Sequence, residues 1–447
     1  MKRTYAEAIT VIVIVIVLST VFLVTKFDSS GKAADAYVGV AYCGNSIEDG
    51  KMLIDKVKGY TNLFVLQSGL LQRDFKSVDE LGDYAVSAGM FFLPYFGAFV
   101  QASFSSWVEN AKEKWGDHFL GVYYADEPGG KMLDSYVTFE DSATGDKITK
   151  TEYGDVFVQQ PDGVQINYDF NGFIHLYEPS NTEINNEATF YPNGTVDIVK
   201  AGPNGFSYHS YRQLQNIRPF KDVNETAQRF IESDKNNIDY LNDNTKVFTS
   251  DYGLYWFDYL SGYDVVLSQI GWNLTLNQQI AQIRGAAQMQ GKDWGAVITW
   301  KYQQPPYLDN GTEILSQMRT AYECGAKYIV LFDYYESDSN PYGTMQAEHF
   351  QALESFWKDY IKNPNESRDS TKADSALVLP QNYGWGTRWM EDKVWGIFKA
   401  DTQTKQMWDL MQSTLQEHGL KTDIIFADSE FTLPTQYQNV YSLNSSS

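Results

Sequence analysis

The sequence predicts a (β/α)8 TIM barrel carrying a β-rich insertion after its fourth strand, preceded by an apolar anchor and followed by a smaller α/β unit. Three observations predict it. Short apolar runs alternate with amphipathic stretches on both sides of an interruption. The interruption has hairpin chemistry. The mouth residues that follow the apolar runs are polar and aromatic rather than core-like.

Before the interruption the apolar runs are 37–43, 63–67, 90–96 and 119–127, with helical stretches at 47–58, 77–87 and 104–115. After it the runs are 247–251, 265–270, 295–300 and 328–333, with helices expected at 276–290, 311–323 and 344–361. Continuous apolar runs of this length suit strands covered on both faces, and their number closes a barrel. An open, doubly wound sheet would give the same alternation, but no Gly-rich phosphate loop follows any strand.

The interruption, 135–210, changes period. Expected strands at 147–151, 155–159, 164–168, 173–177, 188–191 and 195–199 are separated by turns such as Pro161-Asp162-Gly163, Asn171-Gly172 and Asn193-Gly194. Opening after strand four, the insertion either walls the mouth or has a remote structural role. Asp169-Phe170-Asn171-Gly172 has the look of a calcium-loop opening but lacks the downstream glutamate, so a plain turn is expected and no metal or cofactor is assigned.

At the N-terminus, Lys2 and Arg3 precede a stretch from 8 to 25 without a charge. It has no polar face and is longer than a signal-peptide core of ~7 to 15 residues, so an uncleaved membrane anchor over 1–28 is expected in place of a core helix. The basic start places everything after residue 28 outside the membrane. The whole chain carries a formal charge of −22, and removing residues 1–28 leaves −23. Such a surface repels phosphate backbones, which excludes a nucleic-acid partner. Six Asn-x-Ser/Thr sequons, at Asn193, Asn224, Asn273, Asn310, Asn365 and Asn444, agree with an exterior location. The two cysteines, Cys43 at the end of strand one and Cys324 just before strand eight, fall on opposite faces of the barrel and are expected not to pair.

The barrel unit is placed at 35–362, a polar linker at 363–374, and the small α/β unit at 375–447, with strands expected at 376–379, 422–426 and 439–443 around a helix at 404–418.

Functional side chains of a TIM barrel come from the C-terminal ends of its strands. Those ends supply Tyr42, Gln67, Tyr95, Asp126, Glu127, Asp251, Tyr252, Gln269, Trp272, Asn273, Trp300, Lys301, Asp333, Tyr335 and Glu336. Carboxylates and amides suit sugar hydroxyls, and Trp and Tyr suit the flat C–H faces of sugar rings. Glu127, before the chain-breaking Pro128-Gly129-Gly130, is the expected general acid, with adjacent Asp126 supplying a like charge that keeps it protonated. Glycoside cleavage needs a second carboxylate ~5 to 9.5 Å away. Glu336, Asp333 and Asp251 are the candidates, Glu336 first for its longer arm. Tyr42, Gln67, Tyr252, Trp272, Asn273, Trp300, Lys301 and Tyr335 are the expected substrate-binding set.

On these strand ends the chain resembles the clan of barrel glycoside hydrolases that keep an acid/base glutamate at the end of strand four, and the match is Glu127 alone. That resemblance implies an enzyme acting on a polysaccharide or glycan by carboxylate acid/base catalysis, which the apolar segment over 1–28 is expected to anchor at the outer face of the membrane. The resemblance breaks at strand seven, where the clan keeps its nucleophile glutamate and this chain has Trp300-Lys301. The C-terminal unit resembles the first half of the flavodoxin-like, glutamine-amidotransferase-like domain that follows the barrel in some β-galactosidases. The combination is similar to uncharacterised archaeal cell-surface proteins. A second reading stays open, a noncatalytic glycan-binding or structural surface protein in which Asp126 and Glu127 form a strand-end pair with Lys301 or cap a helix.

Overall fold

The computed structural model describes residues 35–97, 104–169, 173–177, 188–191, 193, 195–201, 207–213, 220, 222–272, 274–333, 340–362 and 367–443. The apolar run at 8–25 therefore lies outside the described residues. Among the described residues no helix is long and apolar enough to cross a membrane.

The chain enters through β1 (Tyr37–Tyr42), α1 (Ile47–Val57), β2 (Leu63–Leu66), α2 (Phe75–Ser87), β3 (Phe91–Phe96), α3 (Phe104–Trp115), β4 (Val122–Tyr124) and α4 (Pro128–Asp134). The insertion follows with β5 (Val137–Glu140), β6 (Lys147–Lys150), β7 (Val156–Gln159), β8 (Gln165–Tyr168), β9 (Ile174–Tyr177), β10 (Ala188–Phe190), β11 (Thr195–Ala201) and β12 (Ser207–Gln213). Two helices, α5 (Val223–Ser233) and α6 (Lys235–Asn242), lead back to β13 (Val247–Asp251), α7 (Tyr255–Leu260), β14 (Val265–Ile270), α8 (Leu276–Met289), β15 (Asp293–Ile298), α9 (Gly311–Glu323), β16 (Tyr328–Asp333) and α10 (Ala347–Phe356). The C-terminal part adds β17 (Ser375–Leu379), α11 (Thr402–His418), β18 (Thr422–Phe426) and β19 (Asn439–Ser442).

Strands β1, β2, β3, β4, β13, β14, β15 and β16 close into a barrel in that order, β16 pairing in parallel with β1. Sequential parallel order with a helix after each strand is the (β/α)8 arrangement that the alternation predicts. The strands are buried along nearly their whole length because the barrel interior covers one face and the helices the other. The helices form where apolar residues recur at helical spacing behind a capping side chain. In α2, Asp74 accepts from the N–H groups of Lys76 and Ser77, and Val78, Leu81 and Ala85 are buried on one face.

The insertion folds as a five-stranded antiparallel meander, β5 to β9, and a three-stranded sheet, β10 to β12. β5, β12, α5 and α6 lie where the sequence pattern gave no element. Phe139 of β5 packs edge-on against Phe220 at 5.7 Å, and Arg229 of α5 pairs with Asp141 at 3.2 Å. Lys150 of β6 is fully buried, its Nζ donating to the carbonyls of Ser135 and Thr151 at 2.9 Å each. Burial pulls its ammonium down to about 8.

The C-terminal sheet is parallel, in the order β18-β17-β19. It is fastened to α8 of the barrel. Gly285 allows the approach, since a methyl there would sit 2.6 Å from the Ile424 carbonyl oxygen. One residue earlier, Arg284 donates to Asp423 at 2.7 Å and to the carbonyls of Thr371, Leu420 and Thr422. Asp423 also accepts from the Tyr437 hydroxyl at 2.7 Å. The expected linker is partly tied down as well, with Arg368 donating to Gly325 and Thr371 to Glu323, both at 2.8 Å. From Ala36 onward the chain forms one compact unit.

Candidate functional site

Strand four is shorter than its sequence suggests. β4 ends at Tyr124 because Ala125 (φ 53°) and Glu127 (φ 56°) take left-handed backbone conformations. Non-glycine residues bear this at a cost of ~1 to 3 kcal/mol each, and such residues cluster at functional sites. Leu254 after β13 and Trp272 after β14 share the conformation (φ 56° and 55°), so three adjacent strand ends bend sharply at the same mouth. Glu127 thus occupies the N-cap position of α4, where its side chain makes no cap bond.

The capping is done from the next strand. Asp251 is fully buried, and its Oδ2 accepts from Gly129 N at 2.6 Å while Oδ1 accepts from Gly130 N at 2.8 Å, Tyr252 N at 2.7 Å and Gly253 N at 3.2 Å. Burial, and then the Glu127 charge, push the Asp251 carboxyl up, to about 8, against the pull of these N–H donors. Asp251 therefore fixes the turn that presents Glu127 and does not line the cleft itself.

The cleft is small, about 150 Å³, and is lined by Gln67, Asp126, Glu127, Ser250, Gln269, Trp272, Val297, Thr299, Trp300 and Phe332. Gln269 Nε2 donates to Glu127 Oε1 at 2.8 Å and to Ser250 Oγ at 3.0 Å. Trp272 Nε1 donates to Gln269 Oε1 at 3.3 Å, which orients that amide. Asp126 Oδ1 accepts from the Tyr123 hydroxyl and from Ser250 Oγ at 3.1 Å, and Gln67 Nε2 donates to the Tyr123 oxygen at 3.2 Å. The Glu127 carboxyl is raised above the ordinary glutamate range, first by burial and then by the Asp126 charge, with the Gln269 bond opposing. The rings of Trp272 and Trp300, which line the same cleft, lie 5.8 Å apart at 51°, and Trp300 meets Tyr307 at 5.4 Å.

The expected site residues sort as follows. Asp126, Glu127, Gln67, Trp272 and Trp300 come together in the cleft. Tyr42 is buried, its hydroxyl donating to the Ser46 carbonyl at 2.5 Å. Tyr252 lies beside the cleft, its hydroxyl donating to Asp134 at 3.1 Å. Lys301 pairs with Asp309 at 3.0 Å, so the Asp126–Glu127 pair does not rest on it, and neither carboxylate caps α4. Asp333 ends β16, its backbone in register with Tyr42. Asn273, Tyr335 and Glu336 lie outside the described residues. No described residue of the insertion lines the cleft. Cys43 and Cys324 do not form a disulfide.

Sequence reasoning missed Tyr123 and Ser250, both nearly fully buried. The available signal was a hydroxyl inside an otherwise apolar strand run, since buried polar groups need partners.

No protein-family model matches the chain, and no curated protein matches it. Solved structures similar to it include GH5 glycoside hydrolases. One is a GH5_18 variant from Streptomyces cattleya in complex with Manb1-4GlcNAc, 9% identical, covering 91% of this chain and 98% of that one at a TM-score of 0.46. A GH5_18 variant from Bifidobacterium longum subsp. longum in complex with the same ligand is 8% identical, with coverages of 91% and 96% and a TM-score of 0.42. An endo-1,4-beta-mannanase from Rhizomucor miehei is 10% identical, with coverages of 75% and 97% and a TM-score of 0.34. The barrel itself rests on its closed strand order, not on these likenesses.

Proposed function

We propose that this protein is a glycoside hydrolase acting on a glycan at the barrel mouth, with Glu127 as general acid. One observation carries the reading. A carboxyl raised by burial and by a neighbouring like charge sits in a cleft that a tryptophan pair also lines. A protonated carboxyl can deliver a proton to a departing sugar oxygen, and Trp272 and Trp300 offer the apolar faces on which a ring stacks. Asp126 acts electrostatically, its oxygen held by two hydroxyls. The second carboxylate is proposed to come from strand eight, from Glu336 or Asp333. Membrane attachment through residues 1–28, an extracellular location and a flavodoxin-like, amidotransferase-like character for the C-terminal unit belong to the same proposal.

The test is Glu127→Gln, which keeps shape but has no labile proton. Activity on glycosides with poor leaving groups is expected to fall by roughly 10² to 10⁴, and far less on activated aryl glycosides. Equal activity of variant and wild type on both substrate types removes Glu127 from this role.

A noncatalytic glycan-binding role is favoured by a separate observation. Among the described residues lining the cleft, the carboxylates are Asp126 and Glu127 alone, neighbours on one strand tip, while strand seven contributes Trp300. Glycan binding without hydrolysis of any glycoside in a broad panel, lost on Trp272→Ala, selects this reading.

A further inference from the structure

Asp258 is a buried carboxyl that the cleft does not use. It lies in α7, the helix that leaves β13 just past Asp251, and it is 0% exposed. Among the described residues neither of its oxygens has a hydrogen-bond partner. Tyr255, Trp256, Phe257 and Tyr259 around it on the helix are buried as well. An ionised carboxylate without a donor is far more costly in such a place than a neutral carboxyl, so the group keeps its proton.

The neighbours decide where that proton goes. The titratable groups around Asp258 are Asp251 of β13, Tyr255 and Tyr259 of its own helix, and Tyr263 of the turn that follows. Tyr124 and Asp234 lie beyond Tyr263, and Glu127 lies beyond Asp251. None of these is a cation. The Tyr255 hydroxyl is taken up by Ser268 and that of Tyr259 by the Asp293 carbonyl, both at 2.8 Å. Asp251 is within hydrogen-bonding reach of Asp258. Two carboxylates offer each other acceptors and no hydrogen, which is why the Asp258 oxygens stand without a donor; one proton turns the opposition into a bond. Asp251 receives four N–H donors, which favour its ionised form, and Asp258 receives none. Asp258 is therefore the member of the pair that keeps its proton longer. Burial, and then the Asp251 charge, raise its carboxyl well above the ordinary aspartate range. Asp251 has room for the bond, since its Oδ2 accepts one N–H, that of Gly129, while Oδ1 accepts three.

The pair sits behind the turn that presents Glu127. A methyl on Gly129 would lie 2.6 Å from the Gly253 carbonyl oxygen and 3.2 Å from Asp251 Oδ2, so the turns before α4 and α7 meet closely. The two helices also pack on each other. We propose that Asp258 is a positioning residue: it donates its carboxyl hydrogen to Asp251 and so locks the group that fastens the Gly129–Gly130 turn and sets Glu127 at the cleft. The pair does not depend on what the cleft does. Its effect on catalysis rests on the proposal that Glu127 is the general acid.

The experiment uses the full chain with Asp258→Asn, whose amide donates in place of the carboxyl, and Asp258→Leu, which fills the space and donates nothing. The infrared difference between wild type and Asp258→Asn at neutral pH is expected to show one protonated-carboxyl C=O band lost and no carboxylate stretch lost. Loss of carboxylate intensity instead means that Asp258 is ionised and overturns the proposal. Amide hydrogen exchange read by mass spectrometry should quicken by roughly 10-fold over 127–131 in Asp258→Leu and keep the wild-type rate in Asp258→Asn. Exchange that is unchanged in both variants, or quickened equally along the whole chain, overturns the positioning role. Tyr263→Phe should leave exchange over 127–131 as it is; quickening there as large as in Asp258→Leu shows that the proton goes to Tyr263 and the assigned bond is wrong. Where the wild type cleaves a glycoside, Asp258→Leu should lower kcat by roughly 10- to 100-fold with little change in KM, and Asp258→Asn should restore most of it. A wild type that cleaves nothing defeats the general-acid reading alone, because the infrared and exchange measurements still decide the pair.

Discussion

Replacing Arg284 by Met should free the C-terminal sheet from the barrel. The Arg284 side chain is 5% exposed and that of Asp423 is 0% exposed, so the substitution leaves a carboxylate sealed from the surface and strands three carbonyls that had accepted from the guanidinium. Breaking a buried ion pair from one side costs roughly 3 to 5 kcal/mol, most of it the desolvation of the abandoned partner. The carbonyl bonds add to this at about 0.5 to 1.5 kcal/mol each, but not additively, because all share one side chain. A loss of about 4 kcal/mol is therefore expected for the part of the chain that depends on this contact. Urea unfolding followed by tryptophan fluorescence is a suitable assay, because Trp256 lies 5.8 Å from Phe426 and 5.5 Å from Phe431 and reports on the joint. Arg284→Met should introduce an early transition. The double variant Arg284→Met, Asp423→Asn should recover much of the loss, since it leaves no charge behind and keeps an acceptor for Tyr437. A single variant within ~1 kcal/mol of wild type, unfolding in one step with an unchanged slope, refutes the claim that this pair fastens the sheet.

Two further predictions concern the cleft. The Glu127 carboxyl, raised by burial and Asp126, must be protonated to act, so the alkaline limb of kcat/KM should lie above the ordinary glutamate range. The folded state also holds this proton more tightly than the unfolded chain does. Its stability contribution is therefore complete below the ordinary glutamate range and is lost as pH rises through the raised value, a loss that Glu127→Gln should erase from stability measured against pH. Lys301→Ala should leave that alkaline limb in place, because Lys301 pairs with Asp309 and not with the acid, and Asp309 keeps the hydrogen bond that Gln317 donates at 2.9 Å. A limb that moves in Lys301→Ala shows that the lysine acts on the acid after all.

The barrel was legible because each strand carries its own signal. A run such as Val265–Ile270, buried at every position, cannot be a half-exposed strand. The position of Glu127 was legible too, since an acidic pair followed by Pro128-Gly129-Gly130 has to leave the sheet. The network around it was not. Tyr123 meets Ser250 at 2.6 Å across 127 residues of sequence, and that depends on the register between β4 and β13, which no local pattern encodes. Asp251 was read as a carboxylate for the cleft because it ends a strand, but its partners are main-chain N–H groups of the neighbouring turn, which have no sequence signature. The joint between Arg284 and Asp423 was hidden for the same reason. Each residue alone reads as one more charge on a helix or a strand, and only their meeting makes them structural.

The division of labour between Asp126 and Glu127 follows from what each is given. Two hydroxyls, from Tyr123 and Ser250, aim at one oxygen of Asp126 and hold that side chain in place. Glu127 receives one amide hydrogen from Gln269 and is raised chiefly by burial. The Asp126 charge beside it adds to that rise, so Glu127 holds its proton above the ordinary glutamate range. The same local arrangement rules out economy elsewhere. With Asp126 committed to its hydroxyls and Asp251 committed to the turn, neither is free to attack or to activate water from across the cleft. Among the described residues lining the cleft, strand seven contributes Trp300, and no carboxylate stands apart from Asp126 and Glu127, so hydrolysis at this mouth requires a second carboxylate from outside that set, for which Glu336 and Asp333 are the proposed sources. If neither serves, the same donors, acid and tryptophan pair constitute a site that holds a sugar without cutting it.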